Sequence, residues 1–354
     1  MNTAYLTEKL IAERRLAEPE YEILIRDHTP ADAARLAKEA VRVRKAVYGN
    51  AVYIRGLIEI SSYCRNDCYY CGIRRGSHAA QRYRLTPEEI LACAEEGYPL
   101  GFRTFVMQGG EDAYYTDEIL CGLISRIKER HPDCAVTLSL GERSRESYER
   151  LRRAGADRYL LRHETADEAH YGLLHPKEQT FGARMQCLRD LRDLGYQVGC
   201  GFMVGSPFQK AGHLAKDLAF IESFRPEMCG IGPFIPHHDT PFRSFAAGSA
   251  EMTCFLLSVI RILHPAVLLP ATTALGTIDP EGREKGILSG ANVVMPNLTP
   301  ASVRKNYMLY DNKLNTGAES ASHVADLAAR MRAIGYEITA DRGDYRQKRA
   351  GCPA

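Results

Sequence analysis

Residues 52–72 read VYIRGLIEISSYCRNDCYYCG. Val52–Ile60 is an apolar run of strand length, and three cysteines follow it, at positions 64, 68 and 71. Beyond them Thr86-Pro87-Glu88-Glu89 marks a helix start, with a threonine N-cap, proline at N1 and acids in the first turn. Strand, polar loop and helix in succession make the unit from which parallel sheets are built.

The unit repeats along the chain. Apolar runs recur at Arg103–Met107, Ala135–Leu140, Arg158–Leu161, Gln197–Val204, Met228–Ile235, Val267–Pro270 and Ala291–Met295, eight with the first. Amphipathic stretches separate them, and several end on a glycine suited to the left-handed position after a helix: Gly101, Gly155, Gly195 and Gly290. Eight strand–helix units suffice to close a barrel. The expected fold class is therefore α/β, a (β/α)8 TIM-type barrel, with an open doubly wound sheet as the alternative. Residues 1–50 are helix-rich and polar and are expected to plug or flank the barrel. Residues 51–300 would form the barrel and 301–354 a C-terminal helix and tail closing it. No linker or low-complexity segment divides the chain, so one structural domain is expected.

The 354 residues are 45% hydrophobic and 25% charged, the balance of a globular protein, and the net charge of +2 argues against a nucleic-acid partner. The basic runs 143–153 and 342–349 read as solvated helix faces or a tail. No stretch approaches the roughly 18 apolar residues of a membrane span, and no signal-peptide core precedes the first helix. Eleven cysteines, an odd number without an export signal, read as reduced cytoplasmic thiols. Eight are scattered, at 93, 121, 134, 187, 200, 229, 254 and 352, and most are expected to act as small buried hydrophobes.

In a barrel of this kind the C-terminal strand ends face the active site. Those ends carry Cys64–Cys71, Gln108-Gly109-Gly110-Glu111-Asp112, Thr137-Leu138-Ser139, Arg162-His163-Glu164-Thr165, Ala271-Thr272-Thr273 and Met295-Pro296-Asn297. Cys64, Cys68 and Cys71 stand at Cys-x3-Cys-x2-Cys spacing with an aromatic, Tyr70, before the last. Three thiolates from one short loop suit an iron–sulfur cubane and leave one of its four irons open. A structural zinc site would need four closed ligands, and no second cysteine pair is present to supply them.

The loop resembles the signature of the radical S-adenosylmethionine (SAM) superfamily, in which the open iron chelates SAM. GGED after the second strand resembles that superfamily's glycine-rich segment, whose backbone pairs with the SAM amino group. RYRLTPEEI, VTLSLGE, GADRYLLRHETA, GIGPFIPHHDTPF, PATTALGTIDPEGRE and GANVVMPNLTP are similar to the HydE family of [FeFe]-hydrogenase maturases, across roughly residues 45–312. The resemblance implies one [4Fe-4S] cluster on Cys64, Cys68 and Cys71. It places Tyr70, Gln108, Gly109, Gly110, Glu111, Ser139, Glu164 and Arg184 around the cofactor. Thr137, Thr272, Thr273, Met295, Tyr307 and Tyr310 would surround the substrate. Arg162, two residues before Glu164 and so on the same side of an extended chain, would bind a carboxylate of that substrate.

The activity implied is reductive cleavage of SAM to a 5′-deoxyadenosyl radical that attacks a cysteine-ligated Fe(CO)2(CN) precursor of the hydrogenase H-cluster. Implied partners are this small organometallic substrate, an electron donor such as flavodoxin or ferredoxin, and the other hydrogenase maturases, with no membrane and with the chain as a monomer. Some family members carry an auxiliary cluster beyond the eighth strand. Here residues 309–331, LYDNKLNTGAESASHVADLAARM, contain no cysteine, so one cluster is expected. Three alternatives are a methylornithine-synthase-like mutase, which would handle lysine, biotin synthase, which needs a second iron–sulfur site, and a non-enzymatic iron–sulfur scaffold. Reductive SAM cleavage separates the scaffold from the enzymes.

Overall fold

The computed structural model describes residues 2–314 and 323–346. Three helices come first: α1 (Thr3–Glu13), α2 (Glu18–Asp27) and α3 (Pro30–Tyr48). Asn2 caps α1 by accepting from the Ala4 N–H, and Thr29 and Asp32 form a reciprocal box at the start of α3, with Pro30 at N1. They flank the barrel rather than plug it, since α2 lies on the later helix Ala211–Phe224 and α3 on Ala250–Leu263.

The first apolar run breaks at Arg55 into β1 (Ala51–Ile54) and β2 (Gly56–Ser61). Then follow α4 (Pro87–Gly97), β3 (Thr104–Gly109), α5 (Asp117–Arg130), β4 (Ala135–Ser139), α6 (Arg145–Arg153) and β5 (Arg158–Leu160). Next come α7 (Glu168–Leu174), α8 (Phe181–Asp193), β6 (Gln197–Cys200), β7 (Met203–Val204), α9 (Ala211–Phe224), β8 (Met228–Cys229) and β9 (Gly232–Pro233). The chain continues through α10 (Ala250–Leu263), α11 (Thr273–Ile278), α12 (Gly282–Leu288), β10 (Val293–Val294), α13 (Ala301–Arg304), α14 (Val324–Ala333) and β11 (Glu337–Thr339). Gly101, Gly155, Gly195 and Gly290 all have positive φ, as expected of helix-terminating glycines.

Strands β2-β3-β4-β5-β6-β8 form one parallel sheet. Single parallel bridges continue it, from Met228 to Leu268, from Pro270 to Val293, and from Asn297 back to Leu57. The seventh apolar run thus joins the ring by bridges alone, while the eighth also pairs with β1 as a two-residue ladder, Tyr53 opposite Val293 and Ile54 opposite Val294. Pro270 and Pro296 have no N–H to give to a ladder, which keeps these strands short. The fifth and sixth runs each split at a glycine. Gly201, at φ 150, passes so close to Gly230 that a Cβ would stand 2.0 Å from its carbonyl oxygen. The chain resumes beyond as the β7–β9 pair, which roofs the cavity.

The C-terminal region departs from the expected helix and tail. After α14 the short strand β11 pairs in parallel with β1, Val52 opposite Ile338, making a β10-β1-β11 sheet. A three-residue, half-exposed edge strand has no periodicity long enough to be read from sequence. Among the described residues no helix is long and apolar enough to cross a membrane.

Candidate active site

The cysteine loop is held by hydrogen bonds that do not involve its thiols. The Arg82 guanidinium donates to the carbonyls of Ser62, Ile73 (2.7 Å) and Arg74 (2.6 Å), tying the two ends of the loop together. Asp67 pairs with Arg74 at 2.6 Å and accepts from the Gly76 N–H at 2.8 Å. The Gly72 N–H donates to the Leu309 carbonyl, which fixes the loop against the segment that roofs the cavity. Burial pushes the Cys68 thiol up to about 12, and raises Cys64 and Cys71 as well, with Cys68 and Cys64 both acting on Cys71. Buried thiols of this kind give up their protons when a cation binds them as thiolates. Soft donors converging from one loop fit an iron–sulfur cluster that keeps one iron free of protein ligands.

The thiols line a cavity of about 300 Å³ at the C-terminal ends of the strands. Tyr70, Gln108, Gly109, Gly110, Glu111, Ser139, Arg162, Glu164, Arg184, Thr272, Tyr307 and Tyr310 line the same cavity. Gly110 has to be glycine: a Cβ there would lie 2.2 Å from the Tyr63 carbonyl oxygen. The Glu111 side chain turns out of the cavity to Arg65 (2.9 Å) and the Glu142 N–H (2.9 Å). Its backbone N–H faces Cys64 Sγ at 3.3 Å.

Arg162 and Glu164 do point the same way, and their charged groups approach to 3.2 Å. The reason differs from simple strand alternation, because β5 has ended and Glu164 sits at φ 64, a left-handed conformation that costs a non-glycine residue about 1 kcal/mol or more. The turn is clamped from behind. Asp217 accepts from the Ala166 N–H at 2.6 Å and from His163 Nε2 at 3.1 Å. His163 Nδ1 accepts from the Gly201 N–H, which places its proton on Nε2, and burial pulls its pKa down to about 3, so the ring is neutral. Arg162 Nε and Nη2 and one Glu164 oxygen make no hydrogen bond in this arrangement.

Three expected substrate residues lie elsewhere. Thr137 and Met295 line a second, smaller cavity of about 20 Å³, room for one water-sized group. Their positions on β4 and just past β10 put them below the strand ends, facing the barrel axis. Thr273 is the first residue of α11 and is not among the residues lining either cavity, because Thr272 before it turns inward as the N-cap. Cys352 and residues 315–322, part of the segment read as lacking an auxiliary cluster, lie outside the described residues.

Several residues were not anticipated. Glu142 pairs with Arg184 at 2.6 Å, so the arginine meets a carboxylate of the protein and the Arg162 carbonyl as well as the cavity. Glu142 follows a strand end, and its place there was the signal for it. Arg55, buried with Nε and Nη2 unpartnered, lines the small cavity beside Thr137. The gap in a strand-forming run was its only mark. Gln179 lies against Cys68 from a loop with no motif. At the roof, His237, His238 and Asp311 cluster as metal ligands would, but they hold one another instead. His238 Nδ1 is 2.7 Å from Asp311 Oδ1, and His237 Nδ1 accepts from the Asp239 N–H, leaving its proton on the Nε2 that a metal would need.

A barrel whose first strand ends in a three-thiol loop, opening on a cavity with a glycine-rich second strand end, defines a radical SAM enzyme. Residues 58–221 match the Radical SAM superfamily. The [FeFe] hydrogenase maturase subunit HydE of Thermotoga maritima is 46% identical over 279 residues, 79% of this chain and 79% of that protein. 3-Methylornithine synthase of Methanosarcina acetivorans is 27% identical over 334 residues, 93% of this chain and 92% of that one. The crystal structure of a methylornithine synthase superposes with a TM-score of 0.81 at 24% identity, covering 94% of this chain and 97% of that one, a likeness of fold. The chain belongs to the HydE family of [FeFe]-hydrogenase maturases. Its cofactors are accordingly a [4Fe-4S] cluster and SAM.

Proposed function

We propose that the protein acts on a small iron complex bearing CO, cyanide and cysteine, a precursor of the hydrogenase H-cluster, and that the cysteine sulfur is the atom attacked. The observation that carries this reading is Arg162: a cavity-lining cation whose Nε has no partner and whose Nη2 meets only Glu164 Oε2, at 3.2 Å and without hydrogen-bond geometry. A guanidinium fork in that state suits the carboxylate of a cysteine ligand.

Cys64, Cys68 and Cys71 would hold the cluster, with the backbone of Gly109-Gly110-Glu111 and the side chains of Ser139, Glu164 and Arg184 around SAM. When bound, these cofactors supply a one-electron cleavage that yields methionine and a 5′-deoxyadenosyl radical. The chain's own part is to bind, orient and exclude water. Arg162 would anchor the substrate, while Thr272, Tyr307 and Tyr310 border it. Arg55, Thr137 and Met295 below would meet whatever ligand reaches the floor, where an unpaired buried guanidinium favours negative charge. In this reading the protein is a cytoplasmic monomer with one cluster, reduced by a donor such as flavodoxin or ferredoxin, and it serves the other maturases.

Anaerobic reconstitution followed by identification of the adenosyl product tests the reading. With the iron–cysteine complex, an adduct of 5′-deoxyadenosine at sulfur is expected. Turnover of lysine instead would make the protein a methylornithine-synthase-like mutase, and no SAM cleavage under reduction would make it a scaffold.

A further inference from the structure

We propose that Gln179 sets the reduction potential of the cluster through a hydrogen bond to the sulfur of Cys68. The inference rests on Cys68 being a cluster ligand. The Gln179 amide lies broadside to that sulfur, with Oε1 and Nε2 each 3.5 Å from Sγ. A metal-bound thiolate carries lone pairs and no proton, so it repels Oε1 and accepts from the Nε2 hydrogens. The amide therefore has one productive orientation once the cluster is in place.

Its position is built. Gln179 belongs to the segment between α7 and α8, and that segment is pinned to the cysteine loop at two further points. The Tyr69 N–H donates to the Leu174 carbonyl at 3.0 Å. His175 Nδ1 lies 3.0 Å from the Tyr171 carbonyl and so carries the proton, which leaves Nε2 to accept from the Tyr70 hydroxyl at 3.1 Å. The two rings meet edge to face, 5.4 Å apart. On its other side the segment ends at Thr180, which caps α8 and accepts from the Ala183 N–H. That helix carries Arg184. Gln179 is thus a half-buried side chain held on a strap that joins the cluster loop to the helix on the SAM side.

The physical effect follows from charge. Reduction adds an electron to the cluster and its sulfurs, and an N–H···S hydrogen bond stabilises the more negative state more strongly. The backbone N–H of Glu111 makes such a contact to Cys64 at 3.3 Å and is beyond the reach of substitution. Gln179 makes the corresponding contact from a side chain. Removing it should leave the cluster bound and harder to reduce.

The test is a potentiometric titration of the reconstituted full-length protein without SAM, followed by the paramagnetic signal of the reduced cluster. Q179L deletes both polar atoms at similar volume, and Q179K returns an N–H donor. For Q179L the reduction equilibrium is expected to fall at least threefold, about 28 mV in the negative direction at 59 mV per tenfold for one electron. Q179K is expected at or above the wild-type potential. A Q179L potential within threefold of wild type, a shift of both variants in the same direction, or loss of the cluster from both would each overturn the inference. Cys68→Ala run alongside separates the layers. A full cluster in that variant would remove the ligand assignment and this inference with it. Loss of the cluster there, with no shift in Q179L, would remove this inference alone.

Discussion

Arg158 and Arg162 stand four residues apart at the two ends of one barrel position, and they are treated in opposite ways. At the floor Arg158 is fully buried and each of its nitrogens has a partner. They meet Asp344 at 2.6 Å, Arg342 O at 2.8 Å, Thr104 Oγ1 at 2.9 Å and Gln197 Oε1 at 3.3 Å. At the mouth Arg162 has Glu164 nearby but leaves Nε and Nη2 without a hydrogen bond. A buried guanidinium left unmatched is costly. Arg44, Arg74 and Arg143, which serve the fold, each leave only Nε without a partner, whereas Arg162 and Arg55 leave Nη2 as well. An arginine that keeps Nη2 open holds it for something that binds. Arg55, between the two levels, falls with Arg162: Nη1 reaches only Met228 Sδ at 3.0 Å, and Nε and Nη2 have no partner.

If the two ends divide labour in this way, substitutions at the mouth should remove function and spare stability. The largest effect belongs to the thiols. Replacing Cys64, Cys68 or Cys71 by Ala should abolish cluster absorbance and SAM cleavage, while the melting temperature of the cluster-free protein stays within about 2 °C of cluster-free wild type. Replacing Cys187 should leave both absorbance and cleavage intact. Near eight irons per wild-type chain would show a second cluster and break the one-cluster reading.

Arg162→Lys comes next. It keeps the charge but loses the paired registration of a guanidinium on a carboxylate. Hydrogenase activation in a reconstituted maturation assay should fall tenfold or more, while 5′-deoxyadenosine release stays within about threefold, because a displaced substrate lets the radical be quenched unproductively. Wild-type activation by this variant would end the carboxylate-anchor role.

Smaller still are the cofactor-side changes. Glu164→Gln or Arg184→Ala should weaken SAM binding by roughly 10- to 100-fold, the loss of a charge-assisted contact worth about 1.5–3 kcal/mol. The geometry also separates the two adjacent threonines, since Thr272 lines the cavity and Thr273 does not. Thr272→Val should lower turnover with SAM affinity nearly unchanged, and Thr273→Val should alter neither. Isothermal titration with SAM and product analysis, run on all four variants, distinguish these outcomes.

What could be read from the sequence was whatever is local. The Cys-x3-Cys-x2-Cys loop, the Thr86 helix start and the glycines after helices are each decided within a few residues. The structure shows the Thr86 helix start and the glycine conformations where the sequence puts them. The strand ends followed from alternation, and most of their polar residues share one cavity. What was hidden depends on contacts between distant segments. Arg55 interrupts β1–β2 and looks like a flaw until the barrel encloses it. Gln179 has no motif, and only the pinning of Leu174 and His175 to the cysteine loop brings it to Cys68. The pairing of β11 with β1 joins residues nearly three hundred positions apart, and the same closure brings Asp344 to Arg158.

The smallest predicted effect tests the floor. Asp344 is bonded to Arg158 at 2.6 Å and to Gln197 at 2.9 Å, and pairs with Arg342 at 2.9 Å. Burial alone would raise its carboxyl pKa, but Arg158, Gln197 and Arg342 together hold it well below the usual carboxylate range. A carboxyl whose pKa is lower folded than unfolded stabilises the fold above the unfolded value, near 3.9, and loses that contribution as pH falls through the folded one. Asp344→Asn should therefore destabilise the protein at neutral pH by about 1 kcal/mol, a modest figure because the side chain is 41% exposed and solvent screens the pair. The difference in melting temperature should hold constant from pH 8 to pH 5 and narrow below about pH 4, as the carboxyl of the unfolded wild-type chain takes up its proton while the folded one does not. SAM affinity and iron content should not change. A gap as wide at pH 3 as at pH 7 would show that Asp344 acts through shape rather than charge. A loss of SAM binding in this variant would show that floor and mouth are coupled, and the contrast between Arg158 and Arg162 would then no longer separate stability from function.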